Sequence, residues 1–166
     1  DDPDGAGMAF SDGVDWISFA GSSTQTTAMF NVTNAVGINS TSFVSVAPVA
    51  TSITNAGYSV SGGGIQVAAT GRYKITGQVG ATGTTGNYRY TGETAIGTST
   101  PSINTGTVSG YIRATSGALY TSLIVNEIID LTANDIVNIY VRRASTTSGN
   151  ATTLGTQSRI TIEKIG

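Results

Sequence analysis

The sequence contains no cysteine and no histidine, and these two absences remove most of the usual chemistry of proteins. Without cysteine there is no disulfide framework, no zinc–thiolate site and no thiol nucleophile. Without histidine the commonest general base of enzymes is missing, and most zinc sites are excluded as well. The chain must therefore hold its structure by core packing or by oligomerisation, and carboxylates are the main candidates left for catalysis.

Charge is also scarce, because 11% of the residues are charged against roughly 25% in an average soluble protein. Eight basic and ten acidic residues give a net charge of −2. The basic residues form no stripe, so a nucleic-acid partner is not expected. No run of about 18 apolar residues is present, so the sequence predicts no membrane-spanning helix and no membrane partner.

Glycine, threonine, serine and asparagine replace the missing charge, and they separate short segments of alternating polarity. In residues 72–82 the apolar Tyr73 and Ile75 alternate with the polar Lys74 and Thr76, which is the period of a strand with one buried face. Further strands are predicted at 26–32, 42–47, around Gly62–Gly64 as a pair, and at 87–97, 107–115, 118–131, 135–144 and 158–166. About eight or nine short strands predict an all-β sandwich or jelly roll.

Residues 1–25 differ from the rest and are interpreted as an N-terminal arm with one short extended segment. They hold five of the ten acidic residues and the single tryptophan, in an apolar cluster of Trp16, Ile17 and Phe19. Burying such side chains is worth roughly 1.5–3 kcal/mol each, so we expect the cluster to be covered. Two interpretations stay open: a tail that packs on the domain of residues 26–166, or an anchor that attaches the protein to a larger partner.

Carboxylates are weak candidates for catalysis in this chain, although a pair of them can hydrolyse a glycosidic bond. Asp130 and Asp135 are the first candidates, with Glu93 or Glu127 as further ones. The two aspartates flank a predicted turn, where Asp and Asn are favoured by backbone geometry alone. We therefore predict no catalytic residue, no cofactor and no metal site, and we interpret the aspartates of residues 1–25 as a solvated acidic arm rather than as Ca²⁺ ligands.

Tyrosine is spread over several of the predicted strands and allows a sugar-binding surface. A tyrosine with Asn and Thr on an exposed face can stack on a sugar and hydrogen-bond to it, although tyrosine is equally common at core edges and subunit contacts. One hypothesis is that glycans bind to the loop regions 82–92 and 145–155, with Asn87, Tyr88 and Tyr90 as the contacting residues.

Three longer segments carry a family resemblance when they are taken in order. In TGRYKITGQVGAT a Gly-x-Tyr begins a strand, IIDLTANDIVNIYVRRAS joins two apolar strands by a short turn, and LGTQSRITIEKIG ends in an alternating strand. This arrangement resembles the tumour-necrosis-factor-like and complement-globular-head-like jelly-roll superfamily over residues 26–166, and is most similar to phage virion members (capsid decoration, head fibre or fibre tip). The resemblance implies an antiparallel jelly-roll β-sandwich and a tight homotrimer, with no catalytic residues.

The segment 118–131 supports self-association on its own, because large apolar residues occupy both of its faces. One face can line the sandwich core, and the other needs a cover. A three-fold axis would supply that cover, and the alternative is a loop or the N-terminal arm of the same chain. The hypothetical trimer interface consists of Tyr120, Leu123, Ile124 and Ile128.

The expected function is that of a non-enzymatic virion structural protein. It would be a trimeric decoration or cement knob on a phage capsid surface, held through residues 1–25 to the major capsid protein or another virion protein. The expected location is accordingly the virion surface, an extracellular particle. The alternative is a trimeric fibre-tip or surface adhesin domain that binds host glycans.

Overall fold

The computed structural model describes residues 9–11, 16–18, 26–32, 35–53, 57–83, 88–98, 107–114, 119–144 and 149–166. Every regular element within these ranges is a β-strand, so none of them is a long apolar helix of the kind that spans a membrane. The strands are β1 (Ala9–Ser11), β2 (Trp16–Ser18), β3 (Thr27–Val32), β4 (Val44–Val46), β5 (Pro48–Ile53), β6 (Tyr58–Ser61), β7 (Gly64–Val67), β8 (Gly71–Gly83), β9 (Tyr88–Gly97), β10 (Thr107–Ala114), β11 (Tyr120–Leu131), β12 (Ile136–Arg143) and β13 (Ala151–Lys164).

Two antiparallel sheets pack face to face and form a sandwich. The five-stranded sheet has the order β11-β8-β13-β3-β5. The six-stranded sheet has the order β10-β9-β12-β7-β6, and β4 also pairs with β12. Strands β1 and β2 form a separate two-stranded sheet, so the arm contains two short strands rather than one extended segment. The all-β jelly-roll sandwich predicted from the sequence is thus confirmed.

Two strand regions escaped the sequence-based prediction. The first is β5, which begins at Pro48. Proline lacks a backbone N–H, but it is tolerated here because β5 is the edge strand of its sheet. The first half of β13 is rich in Thr, Gly and Ser and reads as a loop. Two of its polar side chains are buried and bonded: Thr153 Oγ1 accepts from the Val36 N–H at 2.7 Å, and Ser158 Oγ donates to the Leu154 carbonyl at 2.6 Å. These bonds satisfy backbone groups next to the register shift between Leu154 and Arg159.

The core between the sheets is tightly interlocked around Leu123. This side chain is fully buried and fits against Gly92 and Gly110, which are cross-strand partners in β9 and β10. A Cβ atom on Gly92 would lie 2.5 Å from Leu123 Cδ2, and one on Gly110 would lie closer still. The two glycines therefore form a notch in the six-stranded sheet that receives a side chain from the five-stranded sheet.

Candidate subunit-contact surface

Strand β11 separates its residues strictly between two faces. Leu123 and Val125 point into the core and are 0% and 3% exposed. On the opposite face Tyr120 is 68%, Ile124 51% and Ile128 59% exposed. These last three residues are named the β11 stripe. They are spaced four positions apart, so they follow one line along the strand at intervals of about 13 Å.

The strands beside the stripe present polar side chains on the same face. Thr82, Gln78 and Lys74 of β8 lie directly opposite Tyr120, Ile124 and Ile128. The next strand, β13, continues these rows with Thr152, Arg159 and Glu163. The apolar surface is therefore a narrow line along the edge strand of a polar sheet face, and not a broad patch.

A side-chain hydrogen bond from the other sheet fixes the free edge of β11. The buried Thr94 of β9 donates its hydroxyl to the Ile124 carbonyl at 3.0 Å. A carbonyl at the unpaired edge of a sheet is otherwise available for pairing with another chain. The bond closes this part of the edge, so the accessible feature of β11 is the side-chain stripe rather than its backbone.

Two carboxylates of β11, Asp130 and Glu127, have pKa values shifted in opposite directions by their surroundings. The exposed Arg72 guanidinium donates to Asp130 over 2.9 Å between Nε and Oδ1, and this contact lowers the pKa of Asp130 and raises that of Arg72. Glu127 lies on the inner face of the same strand, opposite the fully buried Ile75. Burial raises the pKa of Glu127, because removal from water disfavours the ionised carboxylate.

The structure brings three of the four predicted interface residues together and corrects the fourth. Tyr120, Ile124 and Ile128 share the exposed face, as their even spacing requires. Leu123 has the opposite parity and is enclosed by the core, so it is not available to a partner. The sequence could not show which face is inner, since both faces of β11 carry large apolar residues.

Of the three predicted sugar-binding residues, only Tyr90 is fully described. Tyr90 is fully buried, and its hydroxyl donates to the Arg142 carbonyl at 3.4 Å, so it is a core residue and that assignment was wrong. Burial also raises the pKa of its hydroxyl. Of Tyr88 only the backbone within β9 is described, and Asn87 lies outside the described residues.

The predicted anchor falls largely outside the described part of the chain. Trp16 and Ile17 belong to β2, where their backbones pair with Ser11 and Phe10 of β1. Their side chains and the whole of Phe19 are outside the described residues. The anchor thus stays a prediction from the sequence.

The carboxylates considered for catalysis are engaged in structural contacts. Asp135 Oδ2 accepts from the Thr132 N–H at 2.8 Å, next to Asn134 with its φ of 74°, which is the turn predicted from the sequence. Glu93 accepts from Arg142 Nε at 2.6 Å, and both side chains are largely buried. Within the described ranges, no group of three or more acidic side chains is placed to hold a metal ion.

A second exposed surface was not predicted from the sequence. On the outer face of the six-stranded sheet, Arg89 of β9 lies directly opposite Arg113 of β10. Tyr111, which is 54% exposed, lies two residues before Arg113 and opposite Thr91. Alternation in each strand already placed the arginines on the outer faces, but only the pairing of β9 with β10 shows that they are neighbours.

Comparison with known proteins identifies the fold. No protein-family model matches the chain, and no curated protein sequence matches it. The crystal structure of murine APRIL at pH 5.0 matches with a TM-score of 0.51 and 14% identity over 85% of this chain and 99% of that chain. Murine APRIL at pH 8.0 gives the same TM-score of 0.51 and the same 14% identity. The Eiger TNF structure from S. frugiperda matches at a TM-score of 0.49. The likeness to APRIL establishes a tumour-necrosis-factor-like jelly-roll fold.

Proposed function

We propose that this chain is a non-enzymatic structural protein that assembles as a homotrimer through the β11 stripe and forms a decoration or cement knob on a phage capsid. The observation that carries the proposal is the stripe itself. Three large apolar side chains, each more than half exposed, lie in one line on a strand whose other face lines the core. Single exposed hydrophobic residues are ordinary, but three large ones aligned along one strand, with Ser122 and Asn126 between them, favour an interface.

The energetics of the stripe suit a closed ring of subunits. Full burial of an apolar side chain is worth roughly 1.5–3 kcal/mol, and about half of that is still available at each stripe residue. A three-fold ring repeats the contact at each of its interfaces, so each subunit both offers its stripe and receives that of a neighbour. The tumour-necrosis-factor-like fold and the superfamily resemblance support this arrangement.

The virion role rests on the resemblance to phage decoration and fibre proteins and on the character of residues 1–25. A knob that stabilises a particle needs shape, buried contacts and several attachment points, and it needs no catalytic group. The arm supplies Trp16, Ile17 and Phe19 as apolar anchors for the major capsid protein or another virion protein. Three arms per trimer would multiply a weak single attachment.

The assembly step is tested by the mass of the protein in solution. Light scattering should give three chains for the natural sequence, and one chain for the double variant Ile124→Asp/Ile128→Asp with unchanged β-sheet circular dichroism. Val60→Asp is the matched control, because Val60 is 42% exposed on the other sheet. A natural protein of one chain, or a double variant that stays trimeric, would overturn the proposed interface.

The attachment step is tested by removing residues 1–25 and mixing the remaining chain with particles that lack it. We expect the shortened protein to stay trimeric and to lose particle binding. Trp16→Ser in the full chain should weaken binding in the same direction. Normal decoration by the shortened protein would exclude the arm as the anchor.

The alternative function is a fibre tip or adhesin that binds host glycans. One observation favours it independently of the stripe: the exposed face of β9 and β10 combines two arginines with a tyrosine. The ligand that this face would accept is derived in the next subsection.

A further inference from the structure

Arg89 and Arg113 form an unusual like-charged pair. They are direct cross-strand partners in the β9–β10 ladder, and both are exposed. Side chains in such positions have Cβ atoms about 4.5–5.5 Å apart, and like charges there destabilise a sheet. An anion held between the two guanidinium groups would remove the repulsion.

Two other arginines of the sandwich have carboxylate partners, whereas this pair has none among the described residues. Arg72 is bonded to Asp130, and Arg142 is bonded to Glu93 while it also covers the Phe43 ring at 4.3 Å. Neither Arg89 nor Arg113 forms an ion pair within the described part of the chain. Their donors are therefore available to an anion from outside.

A third arginine lies at the same end of the sandwich and strengthens the positive field at this pair. Arg89 is near the start of β9, and Arg113 and Arg143 are near the ends of β10 and β12. Arg143 Nη1 donates to the Gly149 carbonyl at 3.3 Å, and the Gly149 N–H donates to the Arg89 carbonyl at 3.0 Å, so these arginines share one end of the fold.

Asp130, Asp135 and Glu163 lie away from this end, and Glu93, which shares the outer face of β9 with Arg89, is paired with Arg142. Asp130 and Asp135 flank the turn between β11 and β12, and Glu163 is near the end of β13. In the sequence, the segments 84–87, 115–118 and 145–148, which follow β8, β10 and β12, contain no charged residue. Among the described residues, a ligand that approaches Arg89 and Arg113 therefore meets positive charge without an unpaired carboxylate beside it.

We propose that Arg89, Arg113 and Tyr111 bind a sugar that bears a carboxylate or a sulfate group. The planar guanidinium groups can form paired, charge-assisted hydrogen bonds with either anion. Tyr111 lies on the same face two residues away and offers a ring for stacking and a hydroxyl for hydrogen bonding. The exposed ring favours a sugar over an acidic peptide, since an acidic peptide needs only the charges.

This inference deepens the alternative function and uses the proposed trimer only for avidity, because three such faces would multiply a weak affinity. The face belongs to the six-stranded sheet and the β11 stripe to the five-stranded one. Failure of one proposal can therefore be told from failure of the other by measuring sugar binding and mass on the same samples.

The test measures binding of the full chain to four probes by calorimetry: a sulfated heparin hexasaccharide, a sialic acid oligomer, neutral maltohexaose and polyglutamate. We expect binding to a sulfated or carboxylated sugar, weakening as salt rises, and none to maltohexaose. The first two probes distinguish a sulfate from a carboxylate as the recognised group. Binding of neither anionic sugar at millimolar concentration would overturn the inference.

Three variants locate the site. Arg89→Gln/Arg113→Gln should lower the affinity at least about tenfold, as expected when charge-assisted hydrogen bonds are lost. Lys74→Gln/Arg159→Gln removes the same charge from the outer face of the other sheet, where both residues are exposed, and should leave the affinity within twofold. Tyr111→Ser should weaken sugar binding several-fold and leave any polyglutamate binding unchanged.

Specific outcomes would contradict the assignment. Equal affinity of the Arg89→Gln/Arg113→Gln variant and the natural protein would place the sugar elsewhere. Polyglutamate binding as tight as sugar binding, with no effect of Tyr111→Ser, would identify an acidic polypeptide as the ligand. Loss of the trimer on changing the two arginines would make them subunit-contact residues. The melting temperature gives a second readout, because Arg113→Gln should raise the melting temperature of the free protein slightly and reduce its further rise on adding the sugar.

Discussion

Strands β11 and β12 follow each other in the chain, yet their outer faces meet different surroundings. Along β12 the outer residues Asn138 and Tyr140 are buried almost as well as the inner ones. The segment before β4 folds against its end, where Phe43 and the Thr41 carbonyl contact Arg142. Along β11 the inner residues Leu123 and Val125 are buried, and the outer residues Tyr120, Ile124 and Ile128 are exposed. The chain therefore covers the outer face of β12 by itself and leaves the outer face of β11 open.

The largest expected effect comes from the two neighbours Leu123 and Ile124, which point to opposite faces of β11. Leu123→Ala should lower the free energy of unfolding by about 2–5 kcal/mol, because it empties a closed site in the core. Ile124→Ala should change it by about 0.5 kcal/mol or less once assembly is removed. Denaturant unfolding of both variants in an Ile128→Asp background measures the difference. Equal losses would mean that the two faces are equally packed.

The notch that receives Leu123 gives the next effect. Gly92→Ala should cost about 1–3 kcal/mol, because the new methyl group meets Leu123 Cδ2. Combined with Leu123→Ala, the loss should be smaller than the sum of the two single losses, since the second change removes the clash. A double-mutant cycle by chemical unfolding measures this coupling. Additive losses would show that the glycine is needed for another reason.

A smaller effect is expected at the Arg142–Glu93 pair, which the segment before β4 partly covers. Arg142→Met should cost about 1–3 kcal/mol, because it leaves the largely buried Glu93 carboxylate without its charged partner. Arg72→Met is the matched control. Arg72 and its partner Asp130 are both mainly exposed, so little change in stability is expected. Thermal unfolding compares them, and a similar loss in both variants would contradict the difference in burial.

The smallest effect distinguishes two carboxylates of β11 by the sign of their pH dependence. The pKa of Glu127 is raised by burial, so its protonation stabilises the fold, and that stability is lost as pH rises through the folded-state pKa. The pKa of Asp130 is lowered, mainly by its hydrogen bond from Arg72, so its contribution is lost as pH falls through the folded-state pKa.

Glu127→Gln should therefore stabilise the protein slightly at neutral pH and flatten the rise in stability on mild acidification. Asp130→Asn should flatten the loss of stability at lower pH instead. Melting temperatures measured from acid to neutral pH separate the two. The same slope in both variants would show that exposure along β11 does not control these groups.

Much of this architecture could be predicted from the sequence because the alternation of polarity reports local strand geometry. The pattern in residues 72–82 identified β8, and the turn at Asp135 followed from turn chemistry. The likeness to jelly rolls supplied the fold class, which is confirmed. Local pattern was therefore sufficient for most of the strands, with β5 and the first half of β13 as exceptions.

The features that could not be predicted depend on which strands pair and on which residues the packing of the two sheets buries. Alternation grouped Tyr120 with Ile124 but could not show that Leu123 has the buried face. Tyr90 and Tyr111 have the same side chain, and only the packing of the sheets buries one and exposes the other. The polar start of β13 looked like a loop because its buried hydroxyl groups bond to backbone that is distant in sequence.

The central position of β13 has a consequence for synthesis on the ribosome. β13 follows every other strand of the sandwich in the chain, yet it lies between β8 and β3 in the middle of the five-stranded sheet. A nascent chain cannot complete this sheet until β13 has left the exit tunnel, and until then β8 and β3 present unpaired edges to neighbouring nascent chains on the same message. Completion of the fold is thus delayed until translation reaches β13, and prematurely terminated products that lack this strand cannot form the five-stranded sheet.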